Sequence, residues 1–458
     1  MENTCGIILA AGDGKRMGSA SSKVLCQVLF KPMLEWVMEN CTGAGVKDIC
    51  VVVGKGAEDV ETAVKGRAAT AVQLERHGTG HAVICAEAFL KEHLDGDVLI
   101  LYGDAPFQSP EVIDGAYRLH KDQGNAMTVV SATVDDPFGY GRIVRDNNGV
   151  SEIVEQKDAN DAEKGIREIN AGAYWYKASA LLQALSQLTP ANAQGELYLT
   201  DTLHILRKNG YRVNAYDAGD QRVVLGANSR KQLAHLNEIA REMVFESLWE
   251  RGVDIPITDG IIISREATIG RDTKILPGTL IKGHCTIGEG CVIGPNSMLE
   301  NAVIGDKCQI KASWITDSVL LDDVQIGPFS QVRPNCRIAS GVRVGDFVEI
   351  KNSNVGADTH ASHLTYIGDT DCGSRVNFGC GVVTVNYNGA TKNRTTIGDD
   401  CFIGCNTNLV APVTVGNGAY TAAGSTVTVD VPEDALCIAR AREVIKEGRA
   451  VQYRKKKD

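Results

Sequence analysis

The amino-acid sequence predicts an α/β protein with two different parts, a Rossmann-like domain followed by a left-handed parallel β-helix of hexapeptide repeats. Two observations support this prediction. An aliphatic residue returns every six positions over residues 269–429, and residues 1–228 alternate apolar strand patterns with helical patterns. Strands that alternate with helices are typical of a parallel α/β sheet, in which ligands bind at the carboxyl ends of the strands.

The six-residue period fits neither an amphipathic helix nor a half-buried strand, whose periods are 3.6 and 2. It predicts coils in which each hexad forms one short strand and one corner. An antiparallel sandwich is the alternative, but its turns would fall every 8–12 residues. The aliphatic positions are Ile269, Ile275, Ile281, Ile287, Ile293 and Leu299, then Ile326, Val332, Ile338, Val344 and Ile350, then Ile397, Ile403, Leu409 and Val415.

Two other hexad positions are also patterned. Glycine often follows the aliphatic residue, and we expect it to supply the backbone angles of a corner. These glycines are Gly270, Gly288, Gly294, Gly327, Gly345, Gly398, Gly404 and Gly416. Small residues are expected to fill the interior beside each corner, at Thr273, Thr279, Cys285, Cys291, Ser297 and Val303.

Length and composition indicate a globular protein of two or three domains, because one core rarely exceeds about 250–300 residues. The predicted limits are 1–229 for the α/β domain, 230–250 for a connecting helix and 251–458 for the β-helix. No apolar run approaches the roughly 18 residues of a membrane span, so we expect a cytoplasmic protein with no membrane partner. The net charge of −10 argues against a nucleic-acid partner.

The fourteen cysteines contain no C-x-x-C pair, and several fall at the small interior position of a hexad. We therefore expect reduced, buried thiols at Cys285, Cys291, Cys308, Cys336 and Cys401. Cys401 and Cys405 lie four residues apart, which keeps a zinc site open as a minor alternative.

Two features of the first part suggest phosphate chemistry. The apolar run Cys5–Leu9 ends in a glycine-rich loop that contains Lys15 and Arg16, and Lys23 follows it. Backbone N–H groups at a helix start together with cations can bind phosphates. Asp104 follows the apolar run Val98–Tyr102, where a carboxylate can bind Mg²⁺ or simply cap a turn.

These residues carry a resemblance to a known family. The loop Leu9–Gly18, the Lys23-Val24-Leu25 segment and the Tyr102–Pro106 motif resemble those of sugar-phosphate nucleotidyltransferases. With the hexads behind them, the whole chain resembles the bacterial bifunctional family that joins N-acetylglucosamine-1-phosphate uridylyltransferase to glucosamine-1-phosphate N-acetyltransferase. The resemblance implies a GT-A-like nucleotidyltransferase fold, UTP and acetyl-CoA as co-substrates, Mg²⁺ and a homotrimer.

The resemblance also implies the residues of the uridylyltransferase site. They are Leu9, Ala10, Ala11, Gly12, Arg16, Lys23, Gln73, Gly78, Thr79, Tyr102, Gly103, Asp104, Gly141, Glu155, Asn170 and Asn228. Within this set Gln73, Gly78 and Thr79 match the uracil segment, whereas Gly141, Glu155 and Asn170 match the sugar site. Asp104 and Asn228 match the magnesium ligands. The sequence departs from the family at Lys15, where threonine is usual, and at Ser22, where proline is usual.

The hexad period breaks after Val355 and again over Cys380–Thr396, and loops inserted in such coils often bind ligands. By resemblance, His363 is the general base that deprotonates the amino group of glucosamine 1-phosphate; an ordinary surface histidine is the alternative. The matched sugar-phosphate contacts are Arg333, Lys351, Tyr366 and Asn377. The matched acetyl-CoA contacts are Cys380, Asn386, Tyr387, Cys405, Ala423 and Arg440, with serine usual at the position of Cys405.

Arg333 and Lys351 also directly follow aliphatic residues, where we expect glycine, which hints at function without the family. The competing hypothesis is a monofunctional nucleotidyltransferase whose β-helix serves only structure or oligomerisation. Such a module would not need Arg333, Lys351, His363, Tyr366 and Asn386.

Overall fold

The computed structural model describes residues 1–12, 17, 22–147 and 149–454. It divides into two compact units, Met1–Ala240 and Arg241–Asp458. Both predicted fold classes are confirmed. The division falls inside one long helix, so the limits at 229/230 and 250/251 remain a prediction. Among the described residues, none of the helices combines the length and the apolar character that crossing a membrane requires.

The first unit is built on one twisted sheet. Its strands are β1 (Thr4–Ala10), β4 (Asp48–Gly54), β5 (Ala69–Gln73), β6 (Asp97–Tyr102), β7 (Met127–Thr133), β8 (Arg142–Asp146), β9 (Gly149–Val154), β10 (Glu168–Lys177) and β11 (Val213–Asp217), and a small hairpin holds β2 (Gln27–Val28) and β3 (Lys31–Pro32). The strand order is β11-β7-β10-β6-β1-β4-β5, with β8 attached to β10 and β9 to β8. Only β10 runs antiparallel to its neighbours in this central path. The carboxyl ends of β1 and β6 therefore point to the same edge.

Helices cover both faces of this sheet, which explains why its central strands are apolar throughout. They are α1 (Met33–Gly43), α2 (Glu58–Val64), α3 (Thr79–Cys85), α4 (Glu87–Lys91), α5 (Pro110–Asp122), α6 (Asp161–Lys164), α7 (Ala178–Leu185) and α8 (Asp201–Lys208), with 3₁₀ turns at Lys23–Leu25 and Gln221–Val224. The long helix α9 (Arg230–Glu250) follows. The side chain of Ser229 accepts a hydrogen bond from the Gln232 N–H at 3.3 Å, which caps its N-terminus.

The second unit is a parallel β-helix with three faces, each a ladder of very short strands. The first face holds Ile262–Ile263, Leu280–Lys282, Met298–Glu300, Trp314–Thr316, Gln331–Val332, Glu349–Lys351, Tyr366–Gly368, Val383–Val385, Asn408–Val410 and Thr426–Val427. The second holds Thr268–Ile269, Thr286–Ile287, Val303–Ile304, Val319–Leu320, Arg337–Ile338, Asn354–Val355, Thr370–Cys372, Thr395–Ile397 and Val413–Val415. The third holds Lys274–Ile275, Val292–Ile293, Gln309–Ile310, Gln325–Ile326, Arg343–Asp346, His360–His363, Asn377–Phe378, Phe402–Ile403, Tyr420–Thr421 and Leu436–Cys437. A 3₁₀ turn, Arg449–Tyr453, lies near the end of the chain.

The glycines that follow the aliphatic residues have a different role from the one we expected. Most of them, Gly270 for example, lack the positive φ of a left-handed corner, which falls instead two residues later at Asp272 (φ 58°). A Cβ at Gly270 would lie 2.7 Å from the backbone of Gly288 in the next coil. Close approach between coils therefore requires these glycines, rather than the corner angle.

The small interior residues are confirmed with one exception. Thr273, Cys285 and Cys291 are buried, whereas Val303 is 44% exposed. The coil there is shortened, so Ala302 takes the interior place. The polar residues at this interior position also form hydrogen bonds to the backbone. The Thr273 hydroxyl Oγ1, for example, donates to Gly288 O at 2.7 Å. Small hydroxyls and thiols are therefore favoured because they satisfy corner carbonyls of the next coil.

Candidate functional site

A cleft of 410 Å³ opens at the carboxyl ends of β1 and β6. Its lining includes ten of the residues expected to bind UTP or its phosphates: Leu9, Ala10, Ala11, Gly12, Lys23, Gln73, Gly78, Thr79, Tyr102 and Asp104. Parallel strands bring these residues together although they lie as far as 95 positions apart along the chain. Arg16 and Lys15 lie outside the described residues. Gly103 is absent from the lining; its N–H donates to Leu9 O at 2.9 Å and so joins the ends of the two strands.

A second cleft of 530 Å³ lies beside the first. It is lined by the expected sugar residues Gly141, Glu155 and Asn170, and by Asn228. Tyr102 and Asp104 line both clefts. A molecule in one cleft would therefore meet a molecule in the other at these two side chains.

Lys23 stands at this junction. Its Nζ atom lies 2.5 Å from Asp104 Oδ2 and 2.9 Å from Asn228 Oδ1. The two oxygens predicted to bind Mg²⁺ thus reach a single cationic atom. Two protein oxygens completed by phosphate oxygens are the donor set that Mg²⁺ prefers, so the residues fit the ion. Among the described residues, no cluster of three or more His, Cys, Asp and Glu side chains could hold a metal without such help.

The rim of the first cleft, which holds the residues expected to bind the nucleotide, is fixed by hydrogen bonds that the sequence did not predict. Arg76 Nε donates to Ala11 O at 2.7 Å, and Gln73 Nε2 donates to Gly78 O at 3.2 Å. Gly78 has a φ of 105°, and a Cβ there would lie 2.9 Å from the Leu197 nitrogen. Arg76 is a fixed cation beside the expected triphosphate path, and only its position next to the uracil segment could have suggested it.

Glu155 is a titratable side chain of the second cleft, which holds the residues expected to bind the sugar. Burial raises the pKa of its carboxyl, although a hydrogen bond from Thr200 Oγ1 at 3.2 Å opposes the shift. Gly141 lies beside it, since a Cβ there would come within 3.4 Å of Glu155 Oε1. A carboxylate held in this way can accept hydrogen bonds from sugar hydroxyls.

Arg142 supports the wall of the sugar cleft from behind. Its side chain is buried, and its Nη2 donates to Gln156 Oε1 at 2.7 Å. The same oxygen accepts the N–H of Gly139 at 2.9 Å. The sequence did not single out Arg142, because one arginine at the start of a short strand gives no sign that its side chain is buried.

His363, the residue expected to be the general base, lies at a corner of the β-helix between the third and first faces. His363 ends its strand in register with Asp346 of the preceding coil, and its Nδ1 lies 2.9 Å from Asp346 Oδ1. The imidazole beside it lowers the pKa of the Asp346 carboxyl. His363 is 61% exposed, so its other nitrogen is accessible from solvent. Asp346 was not predicted.

Three of the six expected acetyl-CoA residues, Cys380, Cys405 and Ala423, continue the line of this corner. Each lies one position before a residue whose N–H bonds to the preceding coil: Gly381 N to Leu364 O at 3.0 Å, Asn406 N to Cys380 O at 2.8 Å and Gly424 N to Cys405 O at 2.8 Å. His363, Cys380, Cys405 and Ala423 therefore stack in successive coils, about 5 Å apart. A Cβ at Gly424 would lie 3.8 Å from Arg440 Cδ, so this arginine is close to the end of the line.

The two cations expected to contact the sugar phosphate, Arg333 and Lys351, lie directly after and at the end of first-face strands. Arg333 Nη1 pairs with Glu349 Oε1 at 2.8 Å, and the neighbouring Lys392 ammonium lowers the pKa of Lys351. Equivalent positions of this face hold Lys282, Glu300 and Thr316 rather than glycine. We had taken the lack of glycine at Arg333 and Lys351 as a sign of function. That inference is wrong, because glycine follows the aliphatic residue mainly on the other two faces.

The inserted loop is anchored by Asp369. This carboxylate accepts from Asn352 Nδ2 and Asn386 Nδ2, both at 2.5 Å. Burial opposes the effect, but these bonds lower the pKa of Asp369. Asn386 Nδ2 also lies 3.3 Å from the Tyr366 hydroxyl, which links the loop to the first face. The sequence did not single out Asp369 and Lys392, because the residues that they contact are distant in the sequence.

The remaining expected residues are placed as follows. Asn377 lies in register with His360, one strand from the His363 corner. Tyr387 is exposed, and its hydroxyl donates to Gly389 O at 2.7 Å. Cys405 is exposed, whereas Cys401 is buried and its thiol donates to Gly416 O at 3.0 Å. The two thiols thus have opposite environments, which removes the support for a zinc pair.

The comparisons with known proteins agree with both predicted parts of the chain, the α/β domain and the β-helix. Residues 5–247 match the nucleotidyl transferase family model, and residues 266–301, 317–352 and 394–428 match the bacterial transferase hexapeptide model of six repeats. Three curated relatives bear the name Bifunctional protein GlmU. The one from Acetivibrio thermocellus is 45% identical over 448 residues, covering 98% of this chain and 97% of the relative. Those from Halalkalibacterium halodurans and Caldanaerobacter subterraneus subsp. tengcongensis are 46% and 47% identical, and each alignment covers 98% of both chains.

The chain belongs to the GlmU family. Its resemblance to that family is confirmed over nearly the whole length. It is a bifunctional enzyme, a uridylyltransferase and an acetyltransferase, that uses UTP and acetyl-CoA. GlmU membership favours this function over the monofunctional alternative, in which the β-helix had only a structural role.

Proposed function

We propose that this enzyme makes UDP-N-acetylglucosamine in two steps, N-acetylation of glucosamine 1-phosphate in the β-helix and then uridylyl transfer from UTP in the α/β unit. One observation carries the second step: a nucleotide cleft and a sugar cleft meet at Tyr102 and Asp104, with Lys23 at the junction. Such a junction is where a sugar 1-phosphate oxygen and the UTP α-phosphate would react.

In the uridylyl step the sugar phosphate is already an oxyanion nucleophile, so no protein nucleophile is needed. One of its oxygens attacks the α-phosphorus, and pyrophosphate leaves. The protein aligns the two anions: Gln73 and Thr79 face the nucleotide, Glu155 and Asn170 the sugar, and Lys23 the phosphates. Bound Mg²⁺, held by Asp104 and Asn228, would neutralise phosphate charge.

In the acetyl step His363 acts as the general base. Its Nδ1 lies against Asp346, which favours the tautomer whose Nε2 is free to accept a proton. Nε2 takes a proton as the 2-amino group attacks the thioester carbonyl, and the CoA thiolate leaves. Arg333 and Lys351 supply positive charge for the sugar phosphate. Cys380, Asn386, Tyr387, Cys405, Ala423 and Arg440 are proposed to contact acetyl-CoA.

Three further predictions belong to this proposal. The site residues keep the roles that the family resemblance implies, with the acetyltransferase in 251–458 and the uridylyltransferase in 1–229. The chain forms a homotrimer, so light scattering should give about three times the 49.0 kDa of one chain. The enzyme is cytoplasmic, in line with free thiols for all fourteen cysteines.

Two assays on one preparation test the function. Thiol release from acetyl-CoA with glucosamine 1-phosphate reports the first step. Pyrophosphate release from UTP with N-acetylglucosamine 1-phosphate, with and without Mg²⁺, reports the second. We expect both reactions, the second only with Mg²⁺. Pyrophosphate release without thiol release would instead support a monofunctional enzyme with a structural β-helix.

A further inference from the structure

Gln73 and His81 contact each other beside the first cleft of the α/β unit. Gln73 lines this cleft at the end of β5, and His81 lies in the first turn of α3. The Gln73 side chain is buried, so its polar atoms need partners in the protein or in a bound ligand. Gln73 Nε2 lies 3.2 Å from Gly78 O and 3.1 Å from His81 Nδ1.

The donors and acceptors of this contact follow from its geometry. A backbone carbonyl can only accept, so the Gln73 atom that faces Gly78 O is the amide nitrogen. Its two N–H groups then point to Gly78 O and to His81 Nδ1. His81 Nδ1 must therefore accept, which makes the imidazole neutral, with its proton on Nε2. The amide oxygen of Gln73 is left for a ligand, because no described residue donates a hydrogen bond to it.

The surroundings of His81 favour this neutral ring. Burial and the neighbouring His77 ring lower the pKa of His81, although Glu75 opposes the shift. The two rings meet edge to face with centroids 5.0 Å apart, and His77 Nε2 lies 3.0 Å from Glu75 Oε2. The Cys85 Sγ lies 4.0 Å from His81 Nδ1, and burial raises the pKa of this thiol, so it adds no negative charge.

We infer that His81 is a positioning residue that holds the amide oxygen of Gln73 toward the cleft, and that this orientation selects uracil over cytosine. The inference rests on the proposed function, in which the cleft binds UTP. N3 of uracil carries a proton that an amide oxygen can accept. N3 of cytosine is itself an acceptor, so it would leave the amide oxygen without a hydrogen bond. A site that leaves a buried polar group unpaired rejects the wrong ligand.

Protonation of His81 should weaken this selection. A protonated imidazole has N–H groups on both nitrogens, so Nδ1 would face the Gln73 amide nitrogen as donor against donor. The amide is then no longer held, and its nitrogen can turn toward the cleft, where N3 of cytosine accepts a hydrogen bond from it. The preference for UTP should therefore decrease as the pH falls below the ordinary histidine pKa of 6.5.

The test compares kcat/KM for pyrophosphate release with UTP and with CTP, using N-acetylglucosamine 1-phosphate and Mg²⁺. The ratio of the two values cancels titration of the triphosphate, which both nucleotides share. We expect wild type to prefer UTP at about pH 7.5 and to lose at least about threefold of this preference at about pH 5.5. His81→Leu removes the acceptor and should lower the preference about tenfold at neutral pH.

His81→Asn should rescue the preference. Its amide oxygen can take the place of Nδ1 as the acceptor but does not titrate, so the preference should stay high at both pH values. His204→Asn is the matched control, because it removes an exposed imidazole of α8 that lines neither cleft. If His81→Leu fails to fold, the pH dependence of wild type against that of His81→Asn still decides.

Three results would overturn the inference. They are a wild type that does not distinguish UTP from CTP, a wild-type preference that is the same at both pH values, and a folded His81→Leu that keeps the wild-type preference. A wild type that releases no pyrophosphate from UTP would count instead against the proposed function.

Discussion

Nδ1 of His363 lies 2.9 Å from Oδ1 of Asp346, although the two residues are 17 positions apart in the sequence. Parallel pairing of two coils places them in register. Asp346 does not reach the substrate nitrogen in the proposed step; it orients the base.

Replacing Asp346 should therefore slow acetyl transfer without removing the base. We expect Asp346→Asn to lower kcat by about tenfold or more, because the amide no longer fixes the imidazole tautomer, and His363→Ala to lower it by about 10²–10⁴-fold. Thiol release from acetyl-CoA measures both. Asp323→Asn, which removes an exposed carboxylate paired with Arg343, is the control. A loss below tenfold in His363→Ala would reject the base assignment.

Asp104→Ala should abolish uridylyl transfer and leave acetyl transfer nearly unchanged. The carboxylate lies at the junction of two clefts and contacts Lys23, so its removal takes away both a proposed Mg²⁺ ligand and the partner of that lysine. Pyrophosphate release and thiol release are followed on one preparation. Asp95→Ala, an exposed change near the start of β6, is the matched control. Comparable losses of both activities would contradict this division of labour.

Glu155 should make the α/β unit less stable as the pH rises. Burial raises its folded-state pKa, so the native state binds more protons than the unfolded state above the ordinary glutamate pKa of 4.5. Its contribution to the unfolding free energy then decreases with pH until it passes the raised pKa. Thermal unfolding from pH 4 to 8 should show a shallower decline in Glu155→Gln than in wild type.

The same substitution should weaken sugar binding, because an amide replaces the carboxylate that accepts from sugar hydroxyls. We expect the KM for N-acetylglucosamine 1-phosphate to rise about tenfold, the usual loss for a hydrogen bond to a charged group, with little change in the KM for UTP. Equal rises in both values would place Glu155 outside the sugar site.

Gly368→Ala should damage the acetyltransferase through Tyr366. A Cβ at this position would collide with the Tyr366 phenol, which must then move. We expect a higher KM for glucosamine 1-phosphate with uridylyl transfer intact. The double variant with Tyr366→Ala should be no worse than Tyr366→Ala alone, since both act on one side chain. Additive losses would show that Gly368 acts on the coil instead.

The sequence alone predicted most of the architecture. The hexad period determined which residues point inward, because each aliphatic residue must be buried and each coil repeats the last. It did not give the role of Gly270, since a clash with Gly288 depends on how closely two coils approach. Nor did it place Val303, because one shortened coil shifts the register.

The site residues divide in the same way. Motifs next to strand ends, such as Asp104 after β6, could be found in the sequence because a local pattern marks them. Asp346, Asp369 and Arg142 could not, because each acts through a hydrogen-bond partner 14 or 17 positions away in the sequence. Their importance comes from burial and hydrogen bonding, which no local pattern records.

The sequence by itself determined the two folds, the family and the order of the two activities along the chain. Only the tertiary structure decided that Tyr102 and Asp104 line both clefts, that Lys23 contacts both Asp104 and Asn228, and that the His363 imidazole contacts Asp346. The physical reason is that periodicity and motifs reflect short-range constraints on the backbone. Hydrogen bonds of 2.5–2.9 Å between distant residues depend on how strands and coils stack.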